Sequence, residues 1–122
     1  MRLSDLAATG APAVLRKALV VLEQRGWIQG VTRDPSSGRV DLLGAIAIAA
    51  GAPIGSVTEQ PDLLQAVVPE AMRPAAYVAW EALEWAVDDD PVAWQDQSER
   101  TYSEVMRAIV RAADRLEIAV RG

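Results

Sequence analysis

Three carboxylates in the second half of the chain have the spacing of a catalytic or metal-binding cluster. Glu81, Glu84 and Asp88 recur at i, i+3 and i+7, so a helix would carry them on one face. Helical di-metal sites complete such a set with histidine, and this chain has none. The pattern therefore favours a solvated helix face. A carboxylate enzyme or small-ligand-binding protein that uses Glu81, Glu84 and Asp96 stays open as an alternative.

A second acidic group lies in the segment 88–99, "DDDPVAWQDQSE". Its carboxylates occupy positions 1, 3, 9 and 12 of a calcium-binding loop: Asp88, Asp90, Asp96 and Glu99. Such a loop needs glycine at position 6, where this chain has Ala93. The segment is therefore predicted to be a solvated connector between two helices. The sequence predicts no metal, no cofactor and no catalytic residue.

The basic residues of the first third point to different chemistry. A predicted helix ends at Gly26, and the segment 27–43 then has the pattern of a short hairpin that turns at "PSSG". A winged-helix DNA-binding domain has this order of recognition helix and wing. The cations of that arrangement would be Arg16, Lys17, Arg33 and Arg39. Only about ten residues precede the helix, too few for the two supporting helices of such a domain. A structural hairpin is favoured, and a DNA-binding regulator stays an alternative.

The charge balance and the missing residue types agree with this ranking. Residues 1–43 carry six basic and four acidic side chains, whereas residues 44–122 carry six basic and thirteen acidic ones, which gives the net charge of −5. Binding to phosphates needs clustered Lys and Arg, so bulk affinity for nucleic acid is not expected. The absence of cysteine and histidine excludes disulfides, zinc–thiolate sites and the commonest general base. An enzyme is therefore the less expected class.

The four tryptophans are candidates for core filling or for a partner surface. Trp27 and Trp94 flank predicted helices, where they can fill space between elements, whereas Trp80 and Trp85 fall on different faces of one helix. Tryptophan is enriched at binding hot spots, so an exposed Trp80 or Trp85 would mark a partner surface. With the hairpin arginines, the partner-binding candidates are Arg33, Arg39, Trp80 and Trp85.

The elements that must position these side chains are mostly helices. Apolar periodicity, prolines at helix starts and glycines at helix ends predict helices at 12–25, about 44–50, 61–67, 74–87 and 102–117, with the hairpin at 27–43. Thr101 and Glu104 have the T-x-x-E spacing of a capping box. The predicted fold is mainly α: a single-domain helical bundle, residues 1–122, with one short β-hairpin after the first helix.

A stripe of alanines on the 74–87 helix offers close packing to another helix or to a second copy of the chain. The stripe runs from Ala75 to Ala86. The chain has no apolar run long enough for a signal peptide or a membrane span, which predicts a cytoplasmic protein without membrane contact. The favoured function is a small soluble protein-interaction or accessory module, with a protein partner or itself as a homodimer.

Three segments, "LRKALVVLEQRGWIQG", "GRVDLLGAIAIAAG" and "AWQDQSERTYSEVMRAIVRAADRL", resemble a family of small uncharacterised actinobacterial and phage proteins. That family has a Gly-Trp helix end, an LLGA segment and a W-x-D...RT...EV start of the last helix. The matching positions are Trp27, Gly30, Leu43, Gly44, Trp94, Asp96, Arg100 and Thr101. Asp41 stands where the family often has cysteine, and Gln95 where it has asparagine. The resemblance implies a fold and no reaction, and it suggests that Asp96 pairs with Arg100 while Thr101 caps the last helix.

Overall fold

The computed structural model describes residues 10–121, with side chains up to residue 119. Six α-helices lie in this range: α1 Ala11–Arg25, α2 Leu42–Ala49, α3 Leu63–Val67, α4 Arg73–Val87, α5 Pro91–Gln95 and α6 Tyr102–Arg121. Short 3-10 helices at Ile54–Ser56 and Glu70–Met72 lie on either side of α3. The prediction of a mainly helical fold is confirmed. Within the described residues no helix is long and apolar enough to cross a membrane.

Helix α1 forms the centre of the bundle and packs against α2, α4 and α6. Pro12 lies in its first turn, where the missing N–H costs nothing. At the other end the N–H of Gly26 donates to the carbonyl oxygen of Leu22 at 2.8 Å, and Gly26 has a φ of 91° that favours glycine. The core-facing side of α1 includes the fully buried Leu15 and Leu22.

The alanine stripe of α4 packs inside the chain. Its members Ala75, Ala79, Ala82 and Ala86 are all buried, on a helix that packs against both α1 and α6. Small side chains allow helix backbones to approach closely, which explains the use of alanine here. Because the stripe is already covered, it offers no surface to a second copy of the chain.

A guanidinium clamp joins α1 to α6 at the surface. Arg16 donates through Nε and Nη2 to the two carboxylate oxygens of Glu117, at 3.0 and 2.9 Å, and through Nη2 to Asp114 at 2.7 Å. A bidentate pair of this kind fixes the orientation of both side chains. The clamp also occupies one of the cations that a DNA-binding helix would need.

The predicted β-hairpin at 27–43 is wrong, because residues 10–121 contain no β-strand. Only isolated bridges remain, from Val40 to Trp27 and to Arg33. On the Trp27 side, the N–H of Val40 donates to the carbonyl of Gly26 and its carbonyl accepts from the N–H of Ile28, each at 3.1 Å. On the Arg33 side, the N–H of Asp34 donates to the carbonyl of Arg39 at 2.9 Å and the N–H of Asp41 donates to the carbonyl of Thr32 at 3.1 Å. The pairing is therefore limited to the single residue Val40 and does not extend into a strand.

The segment between these bridges is held away from strand pairing by contacts to α5 and the loop after it. The Gln29 side-chain amide donates to the carbonyls of Gln95 and Gln97, at 2.7 and 2.9 Å. The N–H of Gly30 donates to the Asp96 carboxylate at 3.0 Å, and a φ of 84° turns the chain at that glycine. These bonds replace the ladder bonds that a hairpin would have made.

The segment 88–99 is more ordered than the predicted connector, since it contains α5. The Asp90 carboxylate accepts from the N–H of Val92 at 3.1 Å and caps this helix, and Pro91 lies in its first turn. Gln95 at its end is completely buried. The prediction of a solvated connector is therefore wrong for Pro91–Gln95.

The capping box of the last helix is present. The N–H of Glu104 donates to Thr101 Oγ1 at 3.3 Å, and the N–H of Thr101 donates to Glu104 Oε1 at 3.0 Å. Arg100 pairs with Glu104 at 2.8 Å and lies 4.0 Å above the ring of Trp94. The suggested pair of Asp96 with Arg100 is wrong, because the two side chains bind Gly30 and Glu104 instead.

Gly44 lies where α2 passes closest to the loop before it, and we expect Gly44→Ala to destabilise the protein by about 2–3 kcal/mol. A Cβ there would lie 2.6 Å from the carbonyl oxygen of Thr32 and 3.1 Å from Val40 Cβ. The Thr32 carbonyl also accepts the N–H of Asp41, so it cannot move without breaking that bond. Urea unfolding measures the change.

The matched control is Gly55→Ala, because a Cβ at Gly55 meets no atom within 4 Å. Gly55 has no positive φ, so alanine there is expected to leave the stability unchanged or slightly raised. Equal stabilities of the two variants would contradict the packing explanation for Gly44.

Candidate functional site

Trp85 is the most conspicuous aromatic residue at the surface. Its side chain on α4 is 44% exposed, and the guanidinium of Arg115 on α6 lies 4.0 Å from the ring centroid. Arg111, one turn earlier on α6, lies 5.6 Å from the same ring and donates to the carbonyl of Ala86 at 3.4 Å. Stacked guanidinium groups hold the indole in one orientation while leaving its outer face in water.

An open groove runs between α4 and α6 beside this tryptophan. One part, of about 480 Å³, is lined by Trp85, Arg111, Asp114, Arg115, Ile118 and Ala119. A second part, of about 460 Å³, shares Arg111 and continues to Glu104. Ile118 is 64% exposed at one end. We call the surface formed by Trp85, Arg107, Arg111, Arg115 and Ile118 the α4–α6 groove.

The two borders of the α4–α6 groove carry opposite charges. On α6, Arg107, Arg111 and Arg115 are spaced at i, i+4 and i+8, so they form one row. The acidic Asp114 and Glu104 of α6 also line the groove, but each is paired with another arginine, Arg16 and Arg100 respectively. On α4, Glu81 and Glu84 are exposed within one turn before Trp85, and Asp88, the C-cap residue directly after the helix, is also exposed. The carboxylates that the sequence grouped together thus lie at the surface of α4 and at its end, near Trp85, although none of them lines the groove itself.

The four predicted partner-binding residues do not come together. Trp85 lies in the α4–α6 groove, whereas Trp80 is half-buried, packs against the core and lines a different cavity. Arg33 donates to the carbonyl of Val57 at 3.1 Å, and Arg39 donates to Ser37 Oγ at 3.3 Å in the turn that replaces the hairpin. The basic loop and the tryptophans are therefore separate features of the surface.

A buried polar network connects four positions that the family resemblance named: Trp27, Asp41, Gly44 and Gln95. The Gln95 side-chain oxygen accepts from Trp27 Nε1 at 3.2 Å and from the N–H of Leu42 at 2.9 Å. Its amide nitrogen donates to Asp41 Oδ2 at 3.0 Å, while Asp41 Oδ1 accepts from the N–H of Gly44 at 2.8 Å and caps α2. Asp41 and Gln95, where this sequence departs from the resembled family, are thus bonded to each other.

The carboxyl group of Asp41 is buried, and its pKa is shifted far from the ordinary value. Burial raises the pKa of its carboxyl group to about 7, and the nearby carboxylates of Asp96 and Glu59 act in the same direction. Its bonds to Gly44 and Gln95 oppose this shift only in part. A carboxyl group that titrates near neutrality beside a cavity is typical of a functional site.

Two adjoining cavities surround this carboxylate and the half-buried Trp80. The smaller, of about 150 Å³, is lined by Gly30, Val31, Thr32, Asp41, Leu43, Glu59, Gln60, Val92 and Asp96. The larger, of about 290 Å³, shares Leu43, Gln60 and Val92 and extends to Trp80 and Tyr77. The N–H of Thr32 donates to the Glu59 carboxylate at the wall of the smaller cavity. We call the joined space the α2–α5 cleft.

Several of these residues were missed by the sequence analysis. Asp41 directly precedes the apolar run "LLGAIAIAA", which is an N-cap signal that could have been read. Arg111 and Arg115 share a four-residue spacing, and Ile118 lies off the stripe of Val105, Ile109, Ala112 and Leu116. Gln95 and Glu59 gave no signal, because their roles depend on contacts to residues far away in the sequence.

No curated protein and no solved structure gives a significant match to this chain. The model of one protein family, described as a family of unknown function and designated DUF6197, matches residues 7–115. The match covers far more than half of the 122 residues and includes Trp85, Asp41 and Gln95. The chain therefore belongs to this family of unknown function, DUF6197.

Proposed function

We propose that this chain is a protein-interaction module whose α4–α6 groove binds a second copy of the same chain. The observation that carries the proposal is the opposite charge on the two sides of the groove, with exposed carboxylates on α4 and at its end and a row of arginines on α6, around the exposed Trp85 and Ile118. A two-fold interface uses the same patch on both partners, so each border must fit the other. This patch meets that requirement.

The contacts of the two-fold complex follow from the two rows. With the copies antiparallel, the carboxylates of Glu81 and Asp88 in one chain face Arg111 and Arg115 of the other, and the reverse pairs form across the axis. Exposed ion pairs contribute only about 0.2–1 kcal/mol each, so they set the orientation more than the affinity. The larger contribution comes from burying Trp85 and Ile118, because tryptophan at the centre of an interface contributes about 2 kcal/mol or more.

The first test is the mass of the protein by sedimentation equilibrium from about 1 µM to about 1 mM. We expect a concentration-dependent dimer, and Trp85→Ser/Ile118→Asp is expected to remain monomeric at every concentration. Ile54→Ser is the control, since Ile54 is 41% exposed but lies outside the groove. A monomeric wild type, or a dimer that survives the double substitution, would overturn the proposal.

A charge exchange tests the pairing itself. Glu81→Arg/Asp88→Arg makes both borders basic, and Arg111→Glu/Arg115→Glu makes both acidic, so each variant alone should self-associate more weakly than wild type. Mixed in equal amounts, they should form a one-to-one heterodimer, because opposite borders face each other again. A groove that binds an acidic segment of some other protein would give no such rescue.

Other features read from the sequence stay predictions. They are the actinobacterial or phage origin, the cytoplasmic location and the DNA-binding alternative. Two of the arginines that DNA binding would use already have partners within the chain, since Arg16 is paired with Glu117 and Asp114 and Arg33 is bonded to the carbonyl of Val57. Binding to random duplex DNA at low salt, lost in Arg33→Ala/Arg39→Ala, is the result that would restore the DNA-binding alternative.

A further inference from the structure

We propose that the α2–α5 cleft binds a small organic cation, with an ammonium group at Asp41 and an apolar body against Trp80. The proposal is independent of self-association, because no residue of the α4–α6 groove lines the cleft. It rests on a cavity whose two ends differ in chemistry. Tyr77 and Trp80 lie at one end and the buried Asp41 lies at the other, and further carboxylates line the whole length of the cleft.

The aromatic end has the form of a small-molecule site. The apolar and aromatic lining of the cavity of about 290 Å³ consists of Leu43, Leu63, Leu64, Tyr77, Trp80 and Val92, and its polar lining consists of Gln60, Asp62, Gln65 and Asp90. The Tyr77 hydroxyl donates to Gln65 Oε1 at 3.2 Å. Ligand sites are typically concave and mostly apolar, with a few polar groups that fix orientation. The volume suits a ligand with a single ring or a short alkyl chain.

The other end carries negative charge without a cation to balance it. Asp41 is only 3% exposed, and the donors to its two oxygens are the neutral N–H of Gly44 and the neutral amide of Gln95. Glu59 and Asp96 line the same space, and among the described lining residues of the whole cleft there is no Lys or Arg. A buried carboxylate is normally paired with a cation, and here the open side of that pair is the cleft.

An organic cation fits better than a metal ion. Among residues 10–121 no group of three or more His, Cys, Asp or Glu side chains is arranged to hold a metal. The oxygens are spread along the cleft, an arrangement suited to the separate N–H bonds of an ammonium group. The raised pKa of Asp41, about 7, agrees with a carboxylate that lacks its counter-ion, and a bound ammonium would lower it.

The test uses three probes of similar shape and different charge: the cation phenethylamine, the neutral 2-phenylethanol and the anion 3-phenylpropionate. The readout is the indole N–H signals of the four tryptophans in a nitrogen–proton correlation spectrum at pH 8 and fixed ionic strength. Trp80→Phe identifies the Trp80 signal by its loss. We expect phenethylamine to shift that signal saturably, with a dissociation constant of about 1 mM or tighter, and the other two probes to bind at least about tenfold more weakly.

The matched variants remove charge and keep the hydrogen-bond acceptors. In Glu59→Gln/Asp96→Asn each amide oxygen can still accept the N–H of Thr32 or Gly30, and the dissociation constant for phenethylamine should rise at least about fivefold. Glu23→Gln/Glu99→Gln removes the same two negative charges outside the cleft, and should leave the dissociation constant unchanged. The proposal would be overturned if phenethylamine binding did not saturate, or if the alcohol or the carboxylate bound equally well. It would also be overturned if the dissociation constant for phenethylamine were unchanged in Glu59→Gln/Asp96→Asn.

Discussion

Replacing Gln95 by leucine is expected to lower the free energy of unfolding by about 4 kcal/mol. Leucine fills a similar volume, but it leaves the buried N–H of Leu42, the indole N–H of Trp27 and the Asp41 carboxylate each without the bond that Gln95 provides. Each buried group left unpaired costs about 1–3 kcal/mol, and more when it is charged. The measurement is urea unfolding followed by tryptophan fluorescence.

The control for this change is Gln97→Leu, two residues further along. Gln97 is exposed, and its side-chain oxygen accepts only from Arg100, at 2.7 Å, so its loss is expected to change the stability by less than about 1 kcal/mol. A double-mutant cycle with Asp41→Asn should show coupling between Asp41 and Gln95 of at least about 1 kcal/mol. Additive effects at these two positions would contradict the network.

The second large effect is a dependence of stability on pH that comes from Asp41. Its carboxyl pKa is about 7 in the folded protein and 3.8 without the fold. Between these values the folded chain holds a proton that the unfolded chain has released, so stability falls as the pH rises from about 4 to about 7. The shift of about three pKa units corresponds to about 4 kcal/mol, fully lost above pH 7.

The test compares wild type with Asp41→Asn by urea unfolding at several pH values between about 4 and 8. The asparagine variant lacks the titrating group, so the difference between the two curves isolates Asp41 from the other carboxylates. That difference should be largest at low pH, in favour of wild type, and should shrink or reverse towards pH 8. Parallel curves would show that Asp41 titrates at an ordinary pKa in the folded state.

The ends of helices α1 and α6 could be read from the sequence because their signals are local. Pro12 and Gly26 mark the ends of α1, and the T-x-x-E spacing of Thr101 and Glu104 marks the start of α6. These residues act on backbone groups within four positions of themselves. A single sequence contains all the information that such contacts need.

The hairpin prediction was wrong because the hydrogen bonds that replace strand pairing are made to residues far away in the sequence. The alternation around Val31 and Val40 is real, but Gln29 and Gly30 bind the segment 95–97, about 66 residues away. The burial of Gln95 could not be predicted for the same reason, because its hydrogen-bond partners are more than 50 residues away in the sequence. From the sequence alone it is only a polar residue at the end of a short helix. Non-local bonds decide both cases, and periodicity does not report them.

The sequence shows that Trp80 and Trp85 lie on different faces of α4, but it does not show which of the two is exposed. Their spacing places Trp80 and Trp85 on different faces, and the sequence cannot tell which face α3 and α5 cover. In the structure Trp80 lines the α2–α5 cleft, while Trp85 lies beside Arg111 and Arg115. The arginines that border the groove have an ordinary helical spacing in the sequence. That they lie beside Trp85 depends on how α4 packs against α6, which the spacing does not show.

The clamp between Arg16 and Glu117 has a consequence for how the protein is made. These residues are separated by 101 positions, which a ribosome adds in about 5–20 s at its usual rate of about 5–20 residues per second. Throughout that time the side of α1 that α6 will cover has no partner, although its leucines are already synthesised. The growing chain on the ribosome therefore exposes apolar surface that the finished protein covers, and such surface is prone to aggregation.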